Sequence, residues 1–268
     1  MTGLEGIGDF GLTEKVAIVT GAGSRASGIG NGRAAAIRLA QAGARVVLVD
    51  VAAENMEETR ELVETAGGEC LVVAADVSAA GGAEETVQSA VERWGRVDVL
   101  VNNVGTAEPL GTVVDVDLDA WDRAFRINVT SMMLMSRFAI PRMQEAGGGS
   151  IVNVSSVAGM RGGHSRIAYP TTKGAVNSLT QAMAIHHAAA GIRVNAVAPG
   201  FAYTPMVYAQ GLRDEDREWR RLAAPLQTEG TGWDVGDAIL FLASAHARWI
   251  TGVVLPVDAG LTATYARR

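Results

Sequence analysis

Cysteine is almost missing from this chain: Cys70 stands alone among 268 residues. No internal disulfide can form, and the expected setting is a reducing one, the cytoplasm. Lysine is nearly as scarce, with Lys15 and Lys173 set against twenty-one arginines. The net charge is −6 and no basic run stands out, which argues against nucleic acid or an anionic membrane as the main partner. No uncharged apolar run approaches the ~18 residues that span a bilayer, and Met1 to Glu14 lacks the basic start and apolar stretch of a leader. The four histidines, 164, 186, 187 and 246, have no cysteine or carboxylate at ligand spacing, so no metal is expected. No GxSxG surrounds any serine, which leaves a hydrolase nucleophile elbow unsupported.

What is present is a 48% apolar chain in which short β-rich runs alternate with helical patterns. Strands are expected near Val16 to Thr20, Arg45 to Asp50, Glu69 to Ala75, Val97 to Asn102, Ser150 to Ser155, Arg193 to Ala198 and Val253 to Val257. Helical stretches such as Gly30 to Ala42, Glu54 to Ala66, Ala83 to Trp94 and Ala168 to Ala190 separate them. Such alternation predicts an α/β fold, a single-domain doubly wound parallel sheet of seven strands of the Rossmann type, with ligands at the carboxyl ends of the strands. The expected organisation is an N-terminal extension over 1–14, the domain over 15–262 and a tail over 263–268. Residues 201–232 interrupt the alternation with a charged insertion, read as a lid over a substrate.

Tyr169 and Lys173 fall one helical turn apart, and Ser156 stands thirteen residues before the tyrosine. Residues four apart share a helix face. A free phenol titrates near ~10 and is a poor base at neutral pH unless a cation favours its phenolate. Lys173 is placed to supply that cation, and its compact ammonium can also hydrogen-bond sugar hydroxyls. Earlier in the chain, Thr20-Gly21 follows the first strand and Gly28-Ile29-Gly30 opens the next helix. Glycines there let a pyrophosphate approach backbone N–H groups at the positive helix end, with Ser24 and Arg25 in the loop between. Asp50 ends the second strand, where a carboxylate accepts hydrogen bonds from an adenosine ribose and repels a 2′-phosphate. That favours NAD over NADP, with Arg25 the competing signal because a guanidinium in the loop can pair with a 2′-phosphate.

Ser155-Ser156-Val157-Ala158-Gly159, together with Tyr169 and Lys173, resembles the active-site segment of the short-chain dehydrogenase/reductase family, and the likeness runs from Lys15 to Gly260. It implies a catalytic set of Asn128, Ser156, Tyr169 and Lys173, with Asn128 anchoring a water that relays protons towards Lys173. For the cofactor it implies Gly21, Gly28, Ile29 and Gly30, an adenine-contacting pair Asp76-Val77, and Asn103 and Gly105 from an Asn-Asn-Val-Gly motif. Pro199, Gly200 and Thr204 are implied at the nicotinamide carboxamide. One departure stands out: Gly21 to Gly28 spans seven positions where the family usually has four, so the loop is three residues longer.

These readings point to an NAD-dependent dehydrogenase or reductase of secondary alcohols and ketones. An NADPH-dependent 3-oxoacyl reductase and a non-catalytic dinucleotide-binding regulator remain open alternatives. The expected pocket combines Val104, Met160, Phe201, Met206, Val207 and Trp219 with His164, and Arg161 or Arg166 adds polarity. Such a cavity suits a medium-sized molecule with one polar or anionic group. Met132 to Met135, apolar around the whole helix, and the apolar stretch 250–261 suggest interfaces. The family resemblance implies a homotetramer.

Overall fold

The structure is a computed structural model that describes residues 10–24, 26–209 and 211–264. Seven strands, β1 (Val16–Thr20), β2 (Arg45–Asp50), β3 (Cys70–Ala74), β4 (Val99–Asn102), β5 (Gly149–Val154), β6 (Ile192–Pro199) and β7 (Val254–Val257), form one sheet in the order β3-β2-β1-β4-β5-β6-β7. Every pairing is parallel. The helices are α1 (Asn31–Gln41), α2 (Glu57–Thr65), α3 (Ala80–Trp94), α4 (Leu118–Phe125), α5 (Ser131–Glu145), α6 (Ala168–His187), α7 (Pro205–Tyr208), α8 (Asp214–Ala223) and α9 (Gly232–Ala243). The expected strands are all present, with ends displaced by no more than two residues.

The strands are apolar on both faces because helices cover both sides. Alternation divides their side chains between two cores. Ala17, Val19, Leu48, Val101 and Val152 face one core with α1 and α9, while Ile18, Val47, Leu100, Ile151 and Val194 face the other with α3, α5 and α6. Ile18 and Leu100 are fully buried, and truncating either to alanine would cost roughly 2–5 kcal/mol. Residues 10–14 are not a loose extension. Leu12 joins the first core, and Phe10 receives the Ala245 N–H while its ring meets His246 edge-on at 5.2 Å. The rest of the expected extension and most of the tail lie outside the described residues.

At the amino ends of the strands, Asp98 is gripped by Lys15, Arg96 and the Val16 N–H at 2.6–3.0 Å. Burial pushes its carboxyl up, but these three donors outweigh burial and hold it below the usual range. Lys15, the first of the two lysines, is therefore a fastener of the sheet. The chain reverses direction of strand addition between β1 and β4, and that opens a crevice at the other end.

Candidate active site

The carboxyl ends of β1 and β4 are laced across this crevice. Thr20 Oγ1 donates to the Val101 carbonyl and accepts the Asn103 N–H at 3.0 Å, while Asn103 Nδ2 donates to the Gly21 carbonyl at 2.9 Å. Gly21 has φ +64°, a left-handed turn out of β1. Gly32 allows α1 to press on that turn, since a Cβ there would lie 2.1 Å from the Gly21 oxygen. Helix α1 starts at Asn31 after Gly30, with no side-chain cap and no acidic residue in its first turn. An uncapped, glycine-flanked positive helix end fits a pyrophosphate.

Asp50 ends β2 with Oδ1 accepting the Val51 N–H at 2.9 Å and Asn55 Nδ2 at 3.3 Å. In the long loop, the Ser24 N–H donates to Asn55 O at 2.9 Å and its hydroxyl turns onto the Ala26 carbonyl. Arg25 lies outside the described residues. Asp76 accepts both the N–H and the hydroxyl of Ser78, and Val77 is buried in the core. Gly200 passes so close to Asp258 that a Cβ would meet it at 2.8 Å, and Thr204 is buried just before α7.

β5 delivers two serines with opposite fates. Ser155 turns away into α6, its hydroxyl 2.6 Å from Asn177 Oδ1 and 3.1 Å from the Lys173 carbonyl. Ser156 has extended backbone and accepts the Ala158 N–H at 3.1 Å, opening the short turn 157–159. That turn lies directly on α6: a Cβ on Gly159 would sit 2.5 Å from the Lys173 carbonyl carbon. This packing brings Ser156 within hydrogen-bonding reach of Tyr169 in the first turn of α6.

Lys173 is buried, and its Nζ donates to the Val154 carbonyl at 2.8 Å and lies 5.8 Å from the centre of the Tyr169 ring. Burial pushes its pKa down to about 8. Burial likewise raises the Tyr169 phenol, and only the Ser156 hydrogen bond opposes it. The Lys173 charge is not among the influences on the phenol in this arrangement. Lys173 is buried and Tyr169 half-buried, so each charged form is penalised, and the ammonium is turned onto a carbonyl.

Asn128 sits in a single π turn, Arg126–Thr130, between α4 and α5. Its Nδ2 donates to the Thr106 carbonyl and to Thr172 Oγ1, each at 2.9 Å, and its Oδ1 accepts the Thr106 N–H at 2.7 Å. Both amide hydrogens are engaged by protein, so the side chain braces the β4 loop against α6. A Cβ on Gly105 would lie 3.3 Å from Asn128 Oδ1 and 3.4 Å from Lys173 Nζ, so the glycine lets the β4 loop approach both groups closely.

The expected pocket needs correction. Met206 is 59% and Trp219 61% exposed, so the lid has no continuous apolar underside. Arginines of α8 take the neighbouring aromatic faces instead: Arg217 stacks on the Tyr203 ring at 4.0 Å and Arg220 on Phe201 at 4.9 Å, while Trp219 only flanks Phe201 at 5.4 Å. Val104 and Val207 are partly buried and Met160 is exposed at the rim. Arg161 is taken by the Thr262 carbonyl, and Arg166 by Ala107 O with Glu108 at 3.8 Å. His164 does stand at the mouth, its ring 5.1 Å from that of Tyr169. Partial desolvation lowers its pKa, and its Nδ1 accepts the Arg166 N–H, which leaves Nε2 to carry the proton of the neutral ring. An open groove of about 510 Å³ lined by Phe10, Arg38 and Asp237 holds none of these groups. Among the described residues no cluster of His, Cys, Asp or Glu could hold a metal.

Sequence reasoning missed Arg33, Thr59 and Asn55, which shape the glycine loop, and Thr172 and Asn177, which seat Asn128 and Ser155. Arg33 left one signal: it lies four residues before Ile37, on the apolar face of α1.

Known proteins carry the same framework. A family model described as enoyl-(acyl carrier protein) reductase matches residues 23–262. Cis-4-hydroxycyclohexanecarboxylate dehydrogenase of Sinomonas cyclohexanicum is 41% identical over 252 residues, covering 94% of this chain and 98% of its own. The crystal structure of levodione reductase is 32% identical with a TM-score of 0.89, over 95% of this chain and 100% of that one. Carveol dehydrogenase from Mycobacterium avium, solved in complex with NAD, is 30% identical with a TM-score of 0.86, over 94% and 99%. The chain belongs to the short-chain dehydrogenase/reductase family, whose members among these relatives are alcohol and ketone oxidoreductases.

Proposed function

We propose that this protein moves a hydride between NAD(H) and a secondary alcohol or ketone. The observation that carries the reading is the convergence of Ser156, Tyr169 and Lys173 beside Gly105, at the carboxyl end of the sheet. Gly21, Gly28, Ile29, Gly30 and the first turn of α1 would hold the pyrophosphate. Asp50 would take the adenosine ribose, with Asp76 and Val77 near the adenine. Asn103, Gly105, Pro199, Gly200 and Thr204 would border the nicotinamide half. When bound, the dinucleotide supplies the hydride acceptor or donor.

Every other step belongs to the chain. Tyr169 removes the hydroxyl proton during oxidation and returns it in reduction. Ser156 donates a hydrogen bond to the developing alkoxide. Lys173, poised near neutrality by burial, turns from the Val154 carbonyl to the ribose and carries the proton onward. Asn128 keeps Thr172, and with it this turn of α6, in place.

NAD is the favoured cofactor because Asp50 stands where a 2′-phosphate would be repelled, and the carveol dehydrogenase neighbour carries NAD. The substrate reading is a ring alcohol or ring ketone, as the names of the three relatives suggest, with His164 supplying the polar contact at the mouth. A homotetramer is the proposed assembly. Met132 and Met135 are core, which leaves Met133 on α5 exposed at 40%, together with Ile185 and Trp249, and all of edge strand β7 is only partly covered. No helix among the described residues is long and apolar enough to cross a membrane, and Cys70, half-buried, suits a reducing cytoplasm.

The decisive experiment follows reduced-nicotinamide absorbance with NAD and NADP against a panel of ring alcohols, including 4-hydroxycyclohexanecarboxylate. Turnover that favours NAD is expected. Tight NADH binding with no turnover on any secondary alcohol or ketone would overturn the catalytic reading, and light scattering that shows a monomer would overturn the assembly.

A further inference from the structure

Arg33 is 1% exposed, the largest fully buried side chain described. A guanidinium removed from water is tolerated when its donors are engaged, and here the partners converge on one feature. Arg33 NH1 donates to the Gly28 carbonyl at 2.6 Å and meets Glu58 Oε2 at 2.6 Å, while Nε donates to Thr59 Oγ1 at 2.9 Å. Thr59 passes its own proton to the Ala22 carbonyl at 2.8 Å. One guanidinium and one hydroxyl thus hold both ends of the long glycine loop, the carbonyls of residues 22 and 28. A third tie lies between them, where Asn55 accepts the Ser24 N–H and donates to Asp50. Backbone contact is equally close, because a Cβ on Gly23 would lie 2.8 Å from Asn55. All the outer partners, Asn55, Glu58 and Thr59, lie on the segment that follows Asp50 directly.

Three additional residues give this loop more conformations to lose on binding a phosphate, and a brace that fixes them beforehand lowers that cost. We propose that Arg33 is the positioning residue for the dinucleotide. It holds the extended glycine loop in its binding shape and ties that loop, through Thr59 and Glu58, to the segment after Asp50, where Asn55 adds a separate tie between loop and strand end. The guanidinium touches neither substrate nor reacting atoms. This inference rests on the dinucleotide-binding reading above.

The two can be tested separately by titrating NADH, ADP-ribose and reduced nicotinamide mononucleotide, the last of which lacks the adenosine half. Wild type should bind all three, and failure to bind NADH would sink the functional reading itself. Arg33→Met should weaken NADH and ADP-ribose by about tenfold, the effect of removing a charged hydrogen bond. The mononucleotide should bind within about twofold of wild type, and kcat at saturating NAD should stay within about threefold. Arg33→Lys keeps the charge but loses the fork, and should fall between. Thr59→Val, which keeps the volume and removes the link between Arg33 and Ala22, should weaken the same two ligands several-fold, and it decides the matter if Arg33→Met does not fold. NADH and ADP-ribose affinities within about twofold of wild type in the folded variants would overturn the assignment. Equal weakening of the mononucleotide would also overturn it, since it would mark general damage to the fold.

Discussion

Ser156, Tyr169 and Lys173 stand on backbone that the core holds in place, whereas residues 205–231 stand on two short helices fastened by charges in water. The serine leaves a central strand, and the tyrosine and lysine share a helix of twenty residues that packs on both that strand's turn and β6. In the lid, α7 has four residues and α8 ten, and α8 has no buried residue. Arg213–Asp216, Arg217–Glu229 and Arg221–Glu218 are its ion pairs, and exposed pairs contribute little. A hydrogen bond joins lid to cofactor loop: Tyr208 OH donates to the Ser27 carbonyl at 2.8 Å. On the proposed reading, the chemistry is built into the well-packed part and selection of substrate into the more lightly fastened one.

The sharpest test of that division is Tyr169→Phe. It removes the transferable proton and leaves the helix, so kcat should fall by about 10³-fold while NADH affinity changes less than about twofold. Activity within tenfold of wild type would remove Tyr169 from the chemistry. A backbone test of the same corner is Gly159→Ala. The new methyl would enter the Lys173 main chain, where nothing flexible can yield, and a loss of roughly 3 kcal/mol in urea unfolding is expected. An unchanged midpoint would show that the turn is looser than its packing implies.

Burial of Lys173 has a pH signature. Its folded pKa of about 8 lies below the ordinary lysine value of 10.5, so between those values the native state binds fewer protons than the unfolded chain and stability rises with pH. The penalty is fully present below pH 8 and fades towards 10.5. Tyr169 and Cys70, both raised by burial, act in the opposite direction from about pH 9 upward. The comparison with Lys173→Met isolates the lysine: the variant's stability advantage attributable to charge should shrink steadily from pH 8 to 10. A difference that stays flat across that window would mean the lysine is not desolvated.

At the adenosine end, Asp50→Ala should shift the ratio of kcat/KM for NAD over NADP towards NADP by about tenfold, one charge-to-phosphate interaction. Equal or better use of NADP by the unmodified protein would hand control of that ribose to another group.

The same division explains what could be read from the chain in advance. Strands such as Val16–Thr20 are nearly uninterrupted apolar runs, so local composition reveals them, and only their ends slip, Glu69 and Ser155 by one residue and Val97 by two. That Tyr169 and Lys173 lie side by side on α6 was legible because helix periodicity brings residues four apart to one face. Arg33 was not, since its partners Glu58 and Thr59 come from the next βα unit and pair only when the chain folds. The lid misled for a related reason. Its apolar residues Met206, Val207 and Trp219 suggested a greasy underside, but Arg217 and Arg220 take the faces of Tyr203 and Phe201, because a guanidinium lies well against an aromatic face.

The smallest effect is expected where the lid meets the rim. Trp219 packs on Phe201, the second residue beyond Pro199 at the end of β6, yet more than half its surface faces water. Trp219→Ala removes little buried area, so the melting temperature should move by no more than about 2 °C, the range of a surface substitution. The Phe201 ring loses one flank and remains under Arg220, so its orientation loosens without collapsing. KM for the best ring alcohol should rise about threefold, the value of an incomplete apolar contact, with kcat unchanged because Ser156, Tyr169 and Lys173 are untouched. An unchanged KM would mean that substrate never reaches this side of Phe201. A fall in kcat matching the rise in KM would mean that the lid takes part in assembling the catalytic corner, and the division between a rigid chemical half and a mobile selective half would have to be given up.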